Sequence, residues 1–219
     1  MLRKLELLIL LLMLAGFVAL NSNIQKMVIS EQVEVKKSIV LDAGHGGKDP
    51  GKIGVNGELE KEINLQIAEK VKKLLEEKGI DVIMTREDDV NHGNKREDMN
   101  KRVEMINRSE AVFAVSIHQN SFQDPDISGA QVFYYSGSEE GKHYAEIMQN
   151  ELLKIDDNNK RQAKSNDNYY LLTKTEIPTI IVECGFLSNG EEARKLAGEE
   201  YQDVVSNAIV KGIESCFMN

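Results

Sequence analysis

The chain contains no tryptophan, and only 5% of its 219 residues are aromatic. It therefore lacks the ring platforms on which sugar-stacking lectins depend. Two cysteines, Cys184 and Cys216, are too few for a disulfide framework, and their spacing is not that of a zinc motif. Positive charge is also scarce: 27 Lys and Arg stand against 36 Asp and Glu, a net charge of −9. Beyond residue 37 the balance is 22 against 33, or −11. So acidic a body excludes nucleic acid as a partner, because phosphate contacts need a basic face. It also gives no electrostatic pull toward anionic wall polymers. No Gly-Lys-Ser/Thr follows the glycine-rich segment 44–57, which excludes a phosphate loop. A His-Glu-x-x-His helix is missing as well, and with it the common metalloprotease layout. No internal repeat is present.

What the chain does have begins with Arg3 and Lys4, followed by an apolar run from Leu7 to Leu20. Such a run is short for a spanning helix, which needs ~20 residues, and has the length of a signal-peptide core. No lipobox cysteine follows, and Leu14-Ala15-Gly16 is the best small-residue cleavage site. Residues 1–20 are expected to be an export signal or a retained membrane anchor, and the only part to meet a membrane. Residues 21–37 read as a linker and 38–219 as one folded domain.

Within that domain, apolar runs alternate with helical periodicity. Ile39-Val40-Leu41 reads as a buried strand that ends at Asp42 and a turn, Ala43-Gly44-His45-Gly46-Gly47. A helix opens at Glu60, with Ile63, Ile67, Val71 and Leu74 on one stripe and Gly79 as its stop. Residues 80–85 predict a second strand and 95–107 a weaker helix. The run Ala111–Ile117 is apolar on both faces, so it predicts a central strand, ending in His118-Gln119-Asn120-Ser121. Residues 129–135 predict a strand, 139–153 a helix and 156–168 a polar loop. Leu171-Leu172 is expected to pair as a short strand. The final buried strand, 178–182, leads into Glu183-Cys184-Gly185-Phe186, and helices near 190–197 and 199–217 close the domain. This alternation implies an α/β protein with a mixed, mostly parallel sheet between helical layers, a three-layer αβα sandwich.

Three buried strands each end in a polar residue that an apolar core would not select: His45, His118 and Glu183. Open α/β sheets place ligand sites at such strand ends. Two neutral imidazoles and one carboxylate suffice for a catalytic zinc with a position left for water, and a second carboxylate serves as the proton carrier. Glu60 and Glu183 are both available, and spacing alone does not say which is the ligand. Asn120 and Ser121, directly after a ligand candidate, are expected substrate contacts. Arg86 and Arg102 are either salt-bridge partners or clamps for a substrate carboxylate. Cys184 follows Glu183 along its strand and should face the opposite way, as a buried inert thiol. His92 reads as a solvated loop residue and His143 as a helix-surface residue.

Blocks in this order resemble one family. Ile39–Gly54 with Glu60-Lys61, then Ser116-Ile117-His118-Gln119-Asn120, then Pro178–Asn189, with Thr85-Arg86 and Arg102…Asn107, are similar to the zinc-dependent N-acetylmuramoyl-L-alanine amidases of the LytC/AmiC type. The resemblance implies His45, Glu60 and His118 as zinc ligands and Glu183 as the catalytic carboxylate. It implies hydrolysis of the amide between N-acetylmuramic acid and L-alanine in peptidoglycan. Many relatives carry alanine at the position of Gln119, a change that touches substrate rather than metal. The interval from His118 to Glu183 leaves no room for the occluding insert of periplasmic relatives, and no wall-binding module stands beside the domain. The chain thus looks most like sporulation amidases that help form muramic-δ-lactam in spore cortex. An extracytoplasmic site of action in the cortex space and an activating protein partner are then expected. Two rival readings are a catalytically silent scaffold of wall synthesis and a zinc exopeptidase or acylase acting on small peptides.

Overall fold

The computed structural model describes Met13, Phe17, residues 37–90 and residues 93–218. Apart from Met13 and Phe17, the export segment expected from the sequence lies outside the described residues, as do most of the linker and His92. The account below concerns the unit that begins at Lys37.

Six strands form one sheet. They are β1 (Ser38–Ala43), β2 (Asp81–Met84), β3 (Phe113–Asn120), β4 (Gln131–Tyr134), β5 (Lys164–Ser165) and β6 (Thr179–Phe186), in the spatial order β2-β1-β3-β6-β4-β5. All neighbours are parallel except β4 and β6, which run antiparallel. The helices are α1 (Glu60–Glu76), α2 (Lys95–Arg108), α3 (Glu139–Leu153), α4 (Tyr170–Lys174), α5 (Gly190–Ala197) and α6 (Glu199–Cys216). A mixed, mostly parallel sheet with helices on both sides is the architecture that the alternation of elements predicted.

The period of two along each strand sorts the side chains. Ile39, Leu41, Phe113, Val115, Ile117, Ile180 and Val182 pack with α1, α3, α5 and α6 into one large core. The intervening residues Val40 and Ala114 pack with Ile106 of α2 and Leu171 of α4 on the other face, and Ile181 packs with Leu172. By the same alternation Asp42, Ser116, His118 and Glu183 belong to this thinner face. Among the described residues, the site therefore opens on the side covered by α2 and α4.

Two local expectations change. Leu171 and Leu172 lie in the five-residue helix α4, not in a strand. Consecutive strand residues point to opposite faces, whereas consecutive helical residues are only ~100° apart. Both leucines can therefore face the sheet, Leu171 toward Val40 and Ile106 and Leu172 toward Phe133 and Ile181. The segment 156–168 is not all loop, since Lys164–Ser165 pairs with Phe133 and Tyr134 as an edge strand. Both of its residues are exposed, so no apolar signal announced it.

The ends of β3 and β6 are irregular. His118 pairs with Glu183, but Asn120 pairs with Phe186, so β6 carries one extra residue there. The buried carboxylate of Glu192 holds this bulge, accepting the backbone N–H groups of Phe186 at 2.8 Å and Gly129 at 2.9 Å.

Candidate active site

The turn after β1 places the first imidazole. His45 has φ 62°, a left-handed conformation that costs a residue with a Cβ roughly 1–3 kcal/mol. Buried arginines hold it there. Arg86 donates to the carbonyls of Ala43 at 2.8 Å, Gly44 at 3.1 Å and Lys61 at 2.7 Å. Arg102 donates to the carbonyls of Ala43 and His45, and to the carboxylates of Asp42 at 2.6 Å and Asp98 at 2.7 Å. Of the two roles that the sequence left open for these arginines, the bonds seen here are the structural one. Each guanidinium is committed to the protein's own oxygens, tying the turn to α1 and α2.

Asp42 lies beneath this turn and is fully enclosed. It accepts hydrogen bonds from Thr85 at 2.6 Å and from Ser116, besides the pair with Arg102. Burial alone would raise its pKa, but Arg102 and the two hydroxyls outweigh that and hold it at about 2.

Glu60 comes in from the first turn of α1. Its Oε1 lies 3.2 Å from His45 Nε2 and 2.9 Å from His118 Nδ1, and accepts the Gln119 N–H at 3.1 Å. Its Oε2 accepts the Lys52 N–H at 2.7 Å. Burial pushes this carboxyl upward, yet the hydrogen bonds from His118 and His45 prevail and keep it well below the ordinary carboxylate range. For His118, burial acts downward and the bond and charge of Glu60 act upward, leaving its pKa raised. Two glycines are required by contact here. A Cβ on Gly44 would stand 2.2 Å from the His118 ring, and one on Gly51, at φ 65°, would stand 2.5 Å from Glu60 Oε2.

One donor atom each from His45, Glu60 and His118 lies within 4.8 Å of the others. The other ring nitrogen of His45, Nδ1, is bonded to Asp49 Oδ2 at 3.0 Å. Such an outer carboxylate fixes the tautomer and leaves Nε2 free to ligate. Two nitrogens and one oxygen at this separation, one of them oriented from behind, fit a zinc ion.

Glu183 stands opposite His118 in the strand register, and only 6% of it is exposed. Tyr169 donates its hydroxyl to Glu183 Oε1 at 3.4 Å, while Glu183 Oε2 is buried with no hydrogen-bond partner. Burial, reinforced by the charge of Glu60 and only partly offset by His118, pushes the Glu183 carboxyl up to about 7. A carboxyl raised toward neutrality with one unpartnered oxygen is suited to accepting and returning a proton. These groups face a cavity of about 520 Å³ with Met99, Leu171 and Ile181 on its apolar wall.

Asn120 and Ser121 also line the cavity; the Asn120 side chain accepts the Ser121 N–H at 2.7 Å. Gln119 turns inward and donates to Asn64 at 3.2 Å, and Asn64 in turn donates to the Gly44 carbonyl at 3.0 Å. Cys184 is a free thiol in the large core, its pKa pushed upward by burial, and Cys216 is likewise buried and free. His143 is exposed on α3, away from the site. Sequence reasoning missed Asp49, Asn64 and Tyr169. Asp49 and Asn64 had a readable signal, each lying four residues after a candidate ligand; Tyr169 had none.

The model of the N-acetylmuramoyl-L-alanine amidase family, Amidase_3, matches residues 39–215. The chain belongs to this family. The germination-specific amidase of Bacillus subtilis (strain 168) is 41% identical over 186 residues, spanning 81% of this chain and 78% of that protein. Among solved structures, the CwlD amidase from Clostridioides difficile, in complex with the GerS lipoprotein, is 39% identical with a TM-score of 0.80. The match covers 83% of this chain and 98% of that one. The amidase AmiC2 of Nostoc punctiforme is 36% identical with a TM-score of 0.76, covering 84% of this chain and 98% of its own. This chain is accordingly a peptidoglycan amidase, and family membership removes the rival exopeptidase and scaffold readings from first place.

Proposed function

We propose that this amidase is zinc-dependent and acts on spore-cortex peptidoglycan, where removal of the stem peptide precedes muramic-δ-lactam formation. The observation that carries the zinc reading is the convergence of His45, Glu60 and His118 beside a buried carboxylate that is not part of their hydrogen-bonded cluster. Zinc bound there would polarise the scissile carbonyl and lower the pKa of a water molecule toward ~7. The protein's own part is proton transfer. Glu183 takes a proton at Oε2 from the attacking water and returns it to the amide nitrogen, so that L-alanine leaves as a free amine. The cortex assignment is supported by the germination-specific relative.

The structure of a relative bound to a lipoprotein supports a second element of the reading, an activating protein partner. Three donors on separate elements, with Glu60 reached through a glycine-rich loop, make metal affinity depend on how well that loop is ordered. The purified domain alone should then hold substoichiometric zinc at nanomolar free metal and cleave slowly. Full occupancy with brisk cleavage would remove the need for a partner. Export through residues 1–20 belongs to the same proposal; among the described residues no helix is long and apolar enough to cross a membrane.

Mass spectrometry of products from purified peptidoglycan tests the reaction. Stem peptides with a free L-alanine amine and glycan with a free lactyl carboxyl are expected, abolished by chelation and restored by zinc. Peptides shortened from the C-terminus, with the muramoyl amide intact, would point to the exopeptidase instead.

A further inference from the structure

We infer that Tyr169 is a positioning residue for the reaction, selecting which oxygen of Glu183 carries the proton. The inference rests on Glu183 being the proton carrier of the reading above.

Two facts about Glu183 are asymmetric. Its Oε1 receives the Tyr169 hydroxyl at 3.4 Å, while its Oε2 is buried and without a partner. A carboxylate whose two oxygens were both free would rotate about its last torsion and present either one, because that torsion is broad and two-fold. A donor fixed on one side removes the degeneracy, leaving the unpartnered oxygen to carry the proton.

The tyrosine is well placed to act as a fixed post. It immediately precedes α4 and accepts hydrogen bonds at its carbonyl from the Thr173 N–H and hydroxyl, within the first turn of that helix. Its ring meets Phe133 edge-on, with centroids 5.6 Å apart, and packs against the cluster of Phe133, Leu172 and Ile181. Ring packing thus sets the position of the hydroxyl, and α4 is itself tied to α2 by the Tyr170 hydroxyl on Asn100 at 2.7 Å. The phenol also lines the cavity. A phenylalanine at this position would keep every packing contact and lose only the donor. That separates a role in positioning from a role in stability.

The test is steady-state kinetics on solubilised peptidoglycan fragments with Tyr169→Phe, alongside melting temperature and zinc content. The hydrogen bond to a charged group predicts a fall in kcat of about tenfold, with KM, melting temperature and zinc content unchanged. A second variant, Glu183→Asp, shortens the carboxylate out of reach of the hydroxyl; adding Tyr169→Phe to it should lower kcat no further. An unchanged kcat in Tyr169→Phe overturns the inference, as does a full tenfold additional loss in the Glu183→Asp background. Loss of zinc in Tyr169→Phe would place its action on the metal cluster and also overturn it. Inactivity of the unmutated protein with zinc supplied would count against the amidase mechanism, not against the tyrosine.

Discussion

Asp42 shows how a buried residue beneath the site decides whether the site exists. It neutralises Arg102, and Arg102 in turn holds the carbonyls of Ala43 and His45, so the buried charge pair supports the strained turn that presents His45. Replacing Asp42 by Asn leaves Arg102 with Asp98 alone, and breaking a buried pair in this way costs about 3 kcal/mol. The sign of its pH effect follows from the depressed pKa. Relative to an unfolded value near 3.8, a folded value of about 2 gives stability that is complete above pH 4. That contribution is lost as pH falls through 2, and amounts to about 2 kcal/mol. Acid denaturation followed by circular dichroism should therefore show a shallower loss between pH 4 and 2 in Asp42→Asn than in the parent. An equal slope would mean that Asp42 is not held down by its partners. At this scale the sequence was partly legible. His45, Glu60, His118 and Glu183 stand out because polar groups at buried strand and helix ends need a reason. Arg86 and Arg102 did not disclose what they hold, because a guanidinium bonded to backbone carbonyls leaves no mark in residue spacing.

The loop between β1 and α1 is the element that sets Glu60 against His45. It must bring Glu60 back across His45, and it does so with the Glu60 N–H on the Lys52 carbonyl at 3.0 Å and the Lys52 N–H on Glu60 Oε2. Gly51 sits at the crossing. Its φ of 65° and the 2.5 Å approach of an added Cβ to Glu60 Oε2 predict that Gly51→Ala displaces the carboxylate. Zinc affinity should fall at least tenfold by competition with a chromogenic chelator, while the melting temperature of the metal-free protein falls by only a few degrees, on the order of 1 kcal/mol. Unchanged affinity would show that the loop adapts. Strands and long helices were legible because their periods of 2 and 3.6 are imposed by the cores they fill. Helix α4 was not, since five residues give no period and adjacent leucines serve a strand or a helix equally well. Strand β5 was not, since its two residues are exposed and held only by backbone bonds.

At the scale of the whole molecule, one thick helical layer stabilises the sheet and a thin one leaves the strand ends open to a large polymeric substrate. The large core draws only on residues from Ile39 onward among those described. A protein beginning at Lys36 should accordingly be soluble and unfold cooperatively, as read by calorimetry; aggregation, or a broad transition, would mean that the preceding segment contributes to the fold. The acidic body offers no general attraction to wall polymer, so recognition of substrate falls to the cavity. The central claim is a division of labour, with three residues for zinc and Glu183 for the proton. It is tested most directly by zinc stoichiometry and turnover of Glu183→Gln beside His45→Ala. The account predicts that Glu183→Gln retains the parent's zinc content and has no measurable turnover, while His45→Ala loses both. Zinc loss in Glu183→Gln equal to that in His45→Ala, or turnover surviving in Glu183→Gln, would contradict it.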